Sequence, residues 1–463
     1  MELEGEETDL GKPEPPVEDE QQEPEEEKSS AKRNRRTKDE IYNFDQLPKV
    51  IVGEQTPAEV LKNPEDYERI GEDYHDELDY IPGGVQVTRT IIGKFRKKEE
   101  KNHPPVQAAA PECHIPGTMI TPALAVQILL DKHCDHLTHY RIAARMKREF
   151  GIDISDRTIN QWAHLTAQHL QPISAAICAE LHACDVLQID ETPINYLAPG
   201  TGKAQKGYLW VMRDPETSSC YYHWEKGRGN KALKNTLGYD PETNTLGFTG
   251  TIQCDGYGVY KSLQKEFTEL KLAGCLAHIR RYFIKDPTLA AEGWAAQILK
   301  RIQDLYTIER NLKGSPPDEV LRMRREQAKP ITDKLKTLLQ DQLVKHRPTS
   351  SAGKAISYAL GLGQWESFLS YLEDPKLDID NNGVERTIRP TKIGAKNFLF
   401  FGSAEAGTSN AVLYTLIENC KSLGLNPRDY LQHAIKAIRT EKPSDLTPKA
   451  FQANLAKQLK QAV

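Results

Sequence analysis

Val186-Leu187-Gln188-Ile189-Asp190-Glu191-Thr192 is an apolar run that ends on two adjacent acids. A second run of the same kind is Thr251-Ile252-Gln253-Cys254-Asp255-Gly256-Tyr257. A third acid, Glu385, stands early in a helical pattern, Asn381-Asn382-Gly383-Val384-Glu385-Arg386-Thr387-Ile388-Arg389-Pro390. Two acids at strand ends and one on a helix can converge into a site of oxygen ligands, which Mg²⁺ or Mn²⁺ prefers. Two such ions can activate a water or a 3′-hydroxyl and stabilise the leaving oxygen on phosphorus. The pattern therefore predicts chemistry that cuts and joins nucleic acid.

Each acid also has an ordinary structural explanation. Asp190 precedes Pro193 and could serve a turn, and Asp255-Gly256 could form a hairpin turn. Glu385 stands three residues after Asn382, which is the spacing of a helix capping box. The prediction of a site therefore depends on all three acids together, on two strands and one helix.

Two groups of basic residues accompany the acids, one after the last predicted strand and one on the helix of Glu385. The first group could hold a phosphate or polarise a scissile bond. The second could follow a phosphate backbone, with a solvated helix face as the alternative. The groups are His278, Arg280 and Arg281, and then Arg386, Arg389 and Lys392.

Composition places the chain among multidomain proteins with reduced thiols. Its 463 residues predict two to four domains, and the net charge of −5 is uneven because the first thirty residues are crowded with acids. Eight cysteines form no paired framework, and we find neither a secretory signal nor an apolar run of membrane-spanning length. We expect a protein of the bacterial cytoplasm that reaches the nucleoid.

We expect seven segments along the chain, in an α/β fold of mixed character. They are a disordered acidic tail (1–40), a weakly ordered N-terminal region with a linker (41–116), a helical segment (117–182), the first part of an α/β core (183–284), a helical insertion (285–375), the second part of the core (376–440) and a C-terminal tail (441–463).

Five strands and one short helix are predicted within the core, and two further strands in the N-terminal region. The core strands are Val186–Asp190, Gly207–Arg213, Cys220–Trp224, Gly250–Asp255 and Leu272–Ala277, the short helix is Asn230–Leu237, and the N-terminal strands are Lys49–Val52 and Val85–Ile92.

The helical segment has the pattern helix, Gly-containing turn, helix. Its first helix should end at Gly151, and Ser155 should begin a second helix that reaches His169. This is the pattern of a helix-turn-helix, and an ordinary helical hairpin is the alternative. The residues that would contact DNA are Arg141, Arg145 and Arg148 on the first helix.

Five blocks resemble those of the insertion-sequence-sixty-six family of bacterial transposases. They occur in order between Glu68 and Thr440, and they are Leu187-Gln188-Ile189-Asp190-Glu191-Thr192-Pro193, Lys206-Gly207-Tyr208-Leu209-Trp210-Val211, Cys254-Asp255-Gly256-Tyr257, Cys275-Leu276-Ala277-His278-Ile279-Arg280-Arg281 and Asn381 to Pro390.

The resemblance implies a ribonuclease-H-like five-stranded core of the DDE type, with a helical insertion before the glutamate. It places the catalytic role, and the binding of two Mg²⁺ or Mn²⁺ ions, on Asp190, Asp255 and Glu385. It also implies transposon ends and target DNA as partners, a homo-oligomer on DNA, and accessory proteins of the same element.

The N-terminal region departs from the family pattern. The family usually carries a Cys-containing zinc finger ahead of the linker, whereas residues 93–102 contain no cysteine. Residues 90–116 offer only Cys113 with His103 and His114, and Cys275 with His278 is a single C-x-x-H pair. We therefore expect no zinc, and recognition of transposon ends by other parts of the chain.

The sequence thus predicts a DNA transposase that nicks the element's end with water and then joins the 3′-hydroxyl to target DNA. Two alternatives stay open: a transposase-derived DNA-binding protein without productive mobility, and a ribonuclease-H-like nuclease without strand transfer.

Overall fold

Two β-sheets and the helices around them make up the described part of the chain. The computed structural model describes residues 42, 44, 47–81, 83–99, 104–198, 200, 203–361 and 363–461. The acidic tail predicted for residues 1–40 lies outside these residues. Within the described ranges, none of the helices combines the length and the apolar character needed to cross a membrane.

The N-terminal sheet is built on a long antiparallel hairpin. Strands β2 and β3 pair from Tyr67↔Lys97 to Ile81↔Gly84, β1 runs parallel to β3, and β4 joins β3 antiparallel. The strands are β1 (Lys49–Gln55), β2 (Tyr67–Ile81), β3 (Gly84–Lys97) and β4 (Val106–Gln107). The two strands predicted for this region, Lys49–Val52 and Val85–Ile92, lie within β1 and β3, whereas β2 and β4 were not predicted.

Strand β2 was not predicted from the sequence, because it is rich in acids and poor in β-branched residues. Its sequence is YERIGEDYHDELDYI. Cross-strand ion pairs compensate for that composition. Asp76 accepts hydrogen bonds of 2.7 and 2.8 Å from Arg89, and Asp73 lies 2.5 Å from Lys94. Opposite charges across the hairpin thus support a strand that side-chain propensity alone does not indicate.

The second sheet has the strand order β7-β6-β5-β8-β9. β5, β6 and β7 are antiparallel, whereas β8 and β9 run parallel to β5, and β10 pairs with the far end of β5. The strands are β5 (Val186–Leu197), β6 (Ala204–Arg213), β7 (Cys220–Glu225), β8 (Thr251–Gln253), β9 (Lys271–Ala273) and β10 (Phe400–Phe401). All five predicted core strands are present, although β5 continues past Asp190 because β6 pairs with it over its whole outer half.

Helices cover the second sheet and make up most of the other described residues. In the described residues they are α1 (Ala58–Lys62), α2 (Pro122–His133), α3 (His139–Phe150), α4 (Asp156–His182), α5 (Asn230–Thr236), α6 (Gly258–Glu266), α7 (Leu276–Ile284), α8 (Pro287–Ala291), α9 (Gly293–Asn311), α10 (Pro317–Met323), α11 (Lys329–Leu343), α12 (Ser351–Leu360), α13 (Gln364–Leu369), α14 (Asn382–Phe398), α15 (Ala404–Ser422), α16 (Pro427–Ala437) and α17 (Pro448–Gln461).

Helix boundaries agree with the local signals in most places. Gly151 ends α3 in the left-handed conformation (φ 69°), and the Ser155 hydroxyl caps α4 by accepting a hydrogen bond from the backbone of Thr158. Helix α4 does not stop at His169 but continues through Pro172 to His182, because its apolar face stays buried along that length. The expected C-terminal tail likewise contains a helix, α17.

The helical segment and the helical insertion pack differently. Helices α2 to α4 share one hydrophobic core with the second sheet, where Ile142 and Ile159 join Leu187. The insertion packs in a second cluster, where Ile298, Leu335 and Trp365 join Val186 of β5 and Ala273 of β9. The helical segment and the insertion therefore both pack against the second sheet, but through different hydrophobic clusters.

Helix α15 completes the hydrogen bonding of the edge strand β7. The Asn419 side chain accepts from the backbone N–H of Cys220 (3.1 Å) and donates to its carbonyl (2.6 Å), as a neighbouring strand would. The Thr415 hydroxyl accepts from the backbone N–H of Tyr222 at 3.0 Å. Side chains of a helix therefore protect an edge that would otherwise present unpaired backbone groups.

We predict that Asn419→Ala destabilises the protein by about 2–4 kcal/mol, because it leaves both backbone groups of Cys220 buried without partners. Denaturant unfolding monitored by tryptophan fluorescence measures the loss. Lys421→Ala, two residues along the same helix and exposed, is the control and should change stability little. Equal unfolding midpoints for the two variants would contradict this account of the edge.

Candidate active site

The two aspartates occupy equivalent places on neighbouring parallel strands. The parallel pairing of β5 with β8 ends at Gln188↔Gln253, and Asp190 and Asp255 each stand two residues beyond that pair. Parallel strands with the same register bring such residues to the same edge of the sheet. Asp255 is followed by helix α6, so Asp255-Gly256 does not form a hairpin turn.

A buried pair of glutamines lies beneath the aspartates and holds the segment that leads to Glu385. Gln188 donates to the side chain of Gln253 (3.0 Å), to the carboxylate of Asp378 (2.9 Å) and to the carbonyl of Asp380 (3.2 Å). Gln253 donates to the carbonyl of Asp378 at 2.6 Å. Both glutamines are fully buried. These bonds fix residues 378–380 against the two strands just before α14 begins.

Helix α14 starts in close contact with the same glutamine. A Cβ atom on Gly383 would lie 2.3 Å from Oε1 of Gln188 and 2.5 Å from Nη1 of Arg213, so a side chain there would displace one of these groups. Glu385 follows in the first turn of the helix. Its side chain does not take part in a capping box, because the helix N-cap is Asn381 and the carboxylate is held elsewhere.

Glu385 is held by one of the predicted basic residues, Arg281, and a second, His278, lies beside it. Nη2 of Arg281 donates to both of its carboxylate oxygens at 3.0 Å, and Nε2 of His278 lies 3.6 Å away. Nη1 of Arg281 also donates to Nε2 of His278 at 3.1 Å. Burial and the charge of Arg281 lower the pKa of His278. The C-x-x-H motif thus brings its histidine to the glutamate.

The cysteine of that motif serves the backbone. Cys275 is buried, and its sulfur accepts a hydrogen bond of 3.3 Å from the backbone N–H of Asn381. Burial raises the pKa of the Cys275 thiol to about 12. Cys275 therefore acts as a neutral anchor for the start of α14.

The acids influence one another electrostatically. Burial raises the pKa of Asp190 to about 7, and the negative charges of Glu191, Asp255 and Glu385 add to that rise. The backbone N–H of Glu191 donates to Asp190 at 2.9 Å, and that of Tyr257 donates to Asp255 at 2.8 Å. The predicted triad is therefore brought together in one place.

Glu191 is a fourth acid in this cluster, and its side chain is only 2% exposed. It forms an ion pair with Arg228 and accepts a hydrogen bond of 3.2 Å from the hydroxyl of Tyr260. Burial raises the pKa of Glu191 against the opposing effect of Arg228. The sequence shows this acid beside Asp190 but assigns it no role.

Other neighbours of the acids were not predicted. The hydroxyl of Tyr358, from α12 of the insertion, accepts a hydrogen bond of 3.1 Å from the backbone of Gly256. Gln188 and Gln253 could have been found, because each is a polar residue inside an apolar strand pattern, and a buried amide needs partners. Tyr358 could not, because it is more than a hundred residues away in sequence.

The predicted basic residues fall on two surfaces next to the acids. Arg386, Arg389 and Lys392 are exposed along α14, and Lys392 donates to the carbonyl of Pro193. Beside that helix lies a cavity of about 850 Å³. Its cationic lining consists of Arg280, Arg281, Arg310, Lys313, Arg324 and Arg386.

Helix α3 presents fewer free charges than its sequence indicates. Arg141 and Arg148 are exposed, and Arg148 pairs with the neighbouring Glu149. Arg145 forms an ion pair with Asp131, a carboxylate that is 1% exposed and whose pKa burial raises. The structure therefore assigns Arg145 a contact inside the protein.

A comparison with known protein families matches the part of the chain that contains the second sheet and the cluster of acids. Residues 117–409 match the family model described as the transposase IS66 family. The chain belongs to this family. The matched range contains the helical segment, the insertion and all three predicted acids, whereas the N-terminal sheet lies before it.

Three curated relatives come from Sinorhizobium fredii, each carrying the name uncharacterized protein. The chain is 29% identical to y4jD and 32% identical to y4qI, and each alignment covers 80% of this chain. The alignments cover 72% and 68% of those proteins. A third relative, y4hP, is 27% identical over 80% of this chain and 68% of its own length.

We predict that Asp190→Asn stabilises the protein in the presence of a chelator, by about 1–3 kcal/mol at about pH 8. The folded-state pKa of about 7 exceeds the ordinary value of 3.8, so the protonated group favours folding at low pH. That contribution is lost as pH rises through about 7. The gain of the variant over the wild type should therefore grow from about pH 5 to about pH 8.

Urea unfolding at several pH values measures this gain. Asp286→Asn is the control, because hydrogen bonds lower the pKa of Asp286 at the start of α8, and its replacement removes a favourable contact. A gain for Asp190→Asn that does not vary with pH would show that Asp190 is not under electrostatic strain.

Proposed function

We propose that this chain is a metal-dependent DNA transposase in which Asp190, Asp255 and Glu385 hold two divalent ions. The observation that carries the proposal is the equal offset of the two aspartates from the Gln188↔Gln253 pair, with the segment that leads into the helix of Glu385 fixed by the same glutamines. The donor set consists of carboxylate oxygens, which suits Mg²⁺ or Mn²⁺. Burial and the neighbouring acids raise the pKa of Asp190, and bound divalent ions would favour its charged form.

The strand order supports a ribonuclease-H-like core. Three antiparallel strands continue into two strands parallel to β5, and the helical insertion separates β9 from the helix of Glu385. In this arrangement the insertion reaches the site through Tyr358, which holds the backbone beside Asp255. We therefore propose that residues 183–284 and 376–440 form one catalytic core with the insertion docked against it.

Bound ions would supply Lewis-acid stabilisation and a water of lowered pKa. The residues of the chain would do the remaining work. Glu191, which is paired with Arg228, follows Asp190 directly, while Arg281 holds Glu385 and donates a hydrogen bond to His278. The exposed cations of α14 and the cationic cavity provide binding for the phosphates of the DNA strand.

We also propose that α3 and α4 contact DNA as a helix-turn-helix-like unit. Arg141 and Arg148 are exposed and can reach a DNA phosphate. Arg145 instead forms an ion pair with Asp131, which joins α3 to α2. The binding experiment below has a second outcome, in which α3 and α4 form a helical hairpin that packs against the protein and does not contact DNA.

We predict that Glu385→Gln lowers Mg²⁺-dependent nicking of DNA that carries the element's ends by roughly 10³-fold or more. The change removes one charged ligand while preserving size. Glu366→Gln, an exposed acid of the insertion, is the matched control and should keep wild-type activity. Nicking by Glu385→Gln at the wild-type rate would refute the assigned role.

The products of the DNA cleavage reaction distinguish the three candidate functions. A transposase both nicks the ends and joins the resulting 3′-hydroxyl to target DNA in the same reaction mixture. Nicking without joining would identify a nuclease, and DNA binding without nicking would identify a non-catalytic derivative.

We predict that neutralising Arg386, Arg389 and Lys392 together weakens DNA binding and lowers the slope of log K against log salt by about 2–3. Each lost phosphate contact leaves about one counterion fewer to be released. Fluorescence anisotropy at several salt concentrations measures the slope.

The control is a triple variant of Lys300, Arg322 and Lys329, insertion residues that are each paired with an acid four residues along. Its slope should stay near the wild-type value. The double variant of Arg141 and Arg148 tests α3 in the same way, and an unchanged slope would show that α3 only packs.

A further inference from the structure

The N-terminal hairpin and the linker before α2 bring together a histidine, a glutamate and a cysteine. His75 and Glu77 are alternate residues of β2 and therefore project from the same face of the strand. Cys113 follows β4 in the linker, 38 residues after His75. One donor atom from each residue lies within 4.8 Å of the others, in a half-buried position.

The backbone on both sides of this cluster is fixed. Leu78 donates to the carbonyl of Met119 and accepts from the backbone of Thr121, each at 3.0 Å, so the linker runs beside β2. Arg439, which follows α16, donates to the carbonyl of Cys113 at 2.7 Å and to the carboxylate of Glu112 at 2.8 Å. The three side chains thus meet on a supported framework.

The distances suit a shared ion. Nε2 of His75 lies 3.9 Å from the sulfur of Cys113. Ligands at about 2.0 Å (nitrogen) and about 2.3 Å (sulfur) from a tetrahedral ion lie about 3.5 Å apart. In addition, Oε1 of Glu77 is buried without a hydrogen-bond partner, although buried carboxylate oxygens are costly to leave unsatisfied.

We propose that His75, Glu77 and Cys113 bind one Zn²⁺ ion, with water at the fourth position. A set of one sulfur, one nitrogen and one oxygen matches zinc, whereas the oxygen-only cluster of Asp190 matches magnesium. The expectation of no zinc was based on residues 90–116, a window that contains neither His75 nor Glu77. These ligands also lie outside residues 117–409, which match the family.

The consequence of this site is a tether between two parts of the chain. An ion held by β2 and by the linker would fasten the N-terminal hairpin to the segment that enters α2. Because metal affinity adds to the stability of the folded arrangement, removal of zinc should loosen the hairpin and leave the core sheet intact.

Zinc content of the full chain, expressed without a histidine tag in zinc-containing medium, tests the proposal. We expect one Zn²⁺ per chain by elemental analysis in the wild type and in Glu385→Gln, and less than about a tenth of that in Cys113→Ser and His75→Gln. Cys184→Ser is the matched cysteine control and should retain the ion. Wild-type protein without stoichiometric zinc would overturn the proposal, as would zinc retained by both ligand variants.

Cobalt substitution of the wild-type protein provides a second measurement that does not depend on the folding of a variant. Co²⁺ bound to Cys113 should give a thiolate-to-cobalt charge-transfer absorption in the near ultraviolet. Bound cobalt without that absorption would refute the site. Loss of the ion on His278→Gln, with retention in His75→Gln, would place zinc at Cys275 and His278 and also refute it.

Discussion

The hydrogen bonds of Gln188 are the interaction on which the candidate site depends. This side chain lies in the second sheet yet reaches Gln253 on the next strand and the backbone of Asp380 before α14. A buried amide that lost these partners would cost about 1–3 kcal/mol for each unsatisfied group. The position of α14 is therefore locked to the two strands that carry the aspartates. Gly383 reinforces this lock, because any side chain there would displace Gln188 or Arg213.

These contacts hold several carboxylates close together, and arginines offset part of the electrostatic repulsion between them. Arg228 pairs with Glu191, and Arg281 pairs with Glu385. If Glu385 binds an ion as proposed, it no longer needs Arg281, whose charge then becomes available to a phosphate in the adjoining cavity. The same arginine would thus balance the acid before ions bind and contact the substrate afterwards, which links metal loading to DNA binding.

Much of the fold could be predicted from local patterns, and the failures have physical reasons. The five core strands follow their apolar runs, Gly151 ends a helix through its left-handed backbone, and Ser155 begins one through its hydroxyl. Strand β2 was missed because cross-strand ion pairs, invisible in a single strand, support its acidic sequence. The three acids could be chosen from sequence, but the glutamines and Tyr358 that position them act across long separations, which no local pattern reports.

Both proposed metal sites arise from strand geometry rather than from ligand spacing. His75 and Glu77 share a face because side chains alternate along β2, and Asp190 and Asp255 share an edge because β5 and β8 run in register. In each case the last ligand comes from a segment that backbone hydrogen bonds hold in place, the linker in one site and the start of α14 in the other. The donor atoms differ, however: a thiolate and an imidazole bind Zn²⁺ far better than Mg²⁺, whereas carboxylates alone accept the harder ion. The site at the hairpin would therefore stay loaded if the proposed ions of the core were withdrawn, so the two sites could be emptied and studied one at a time.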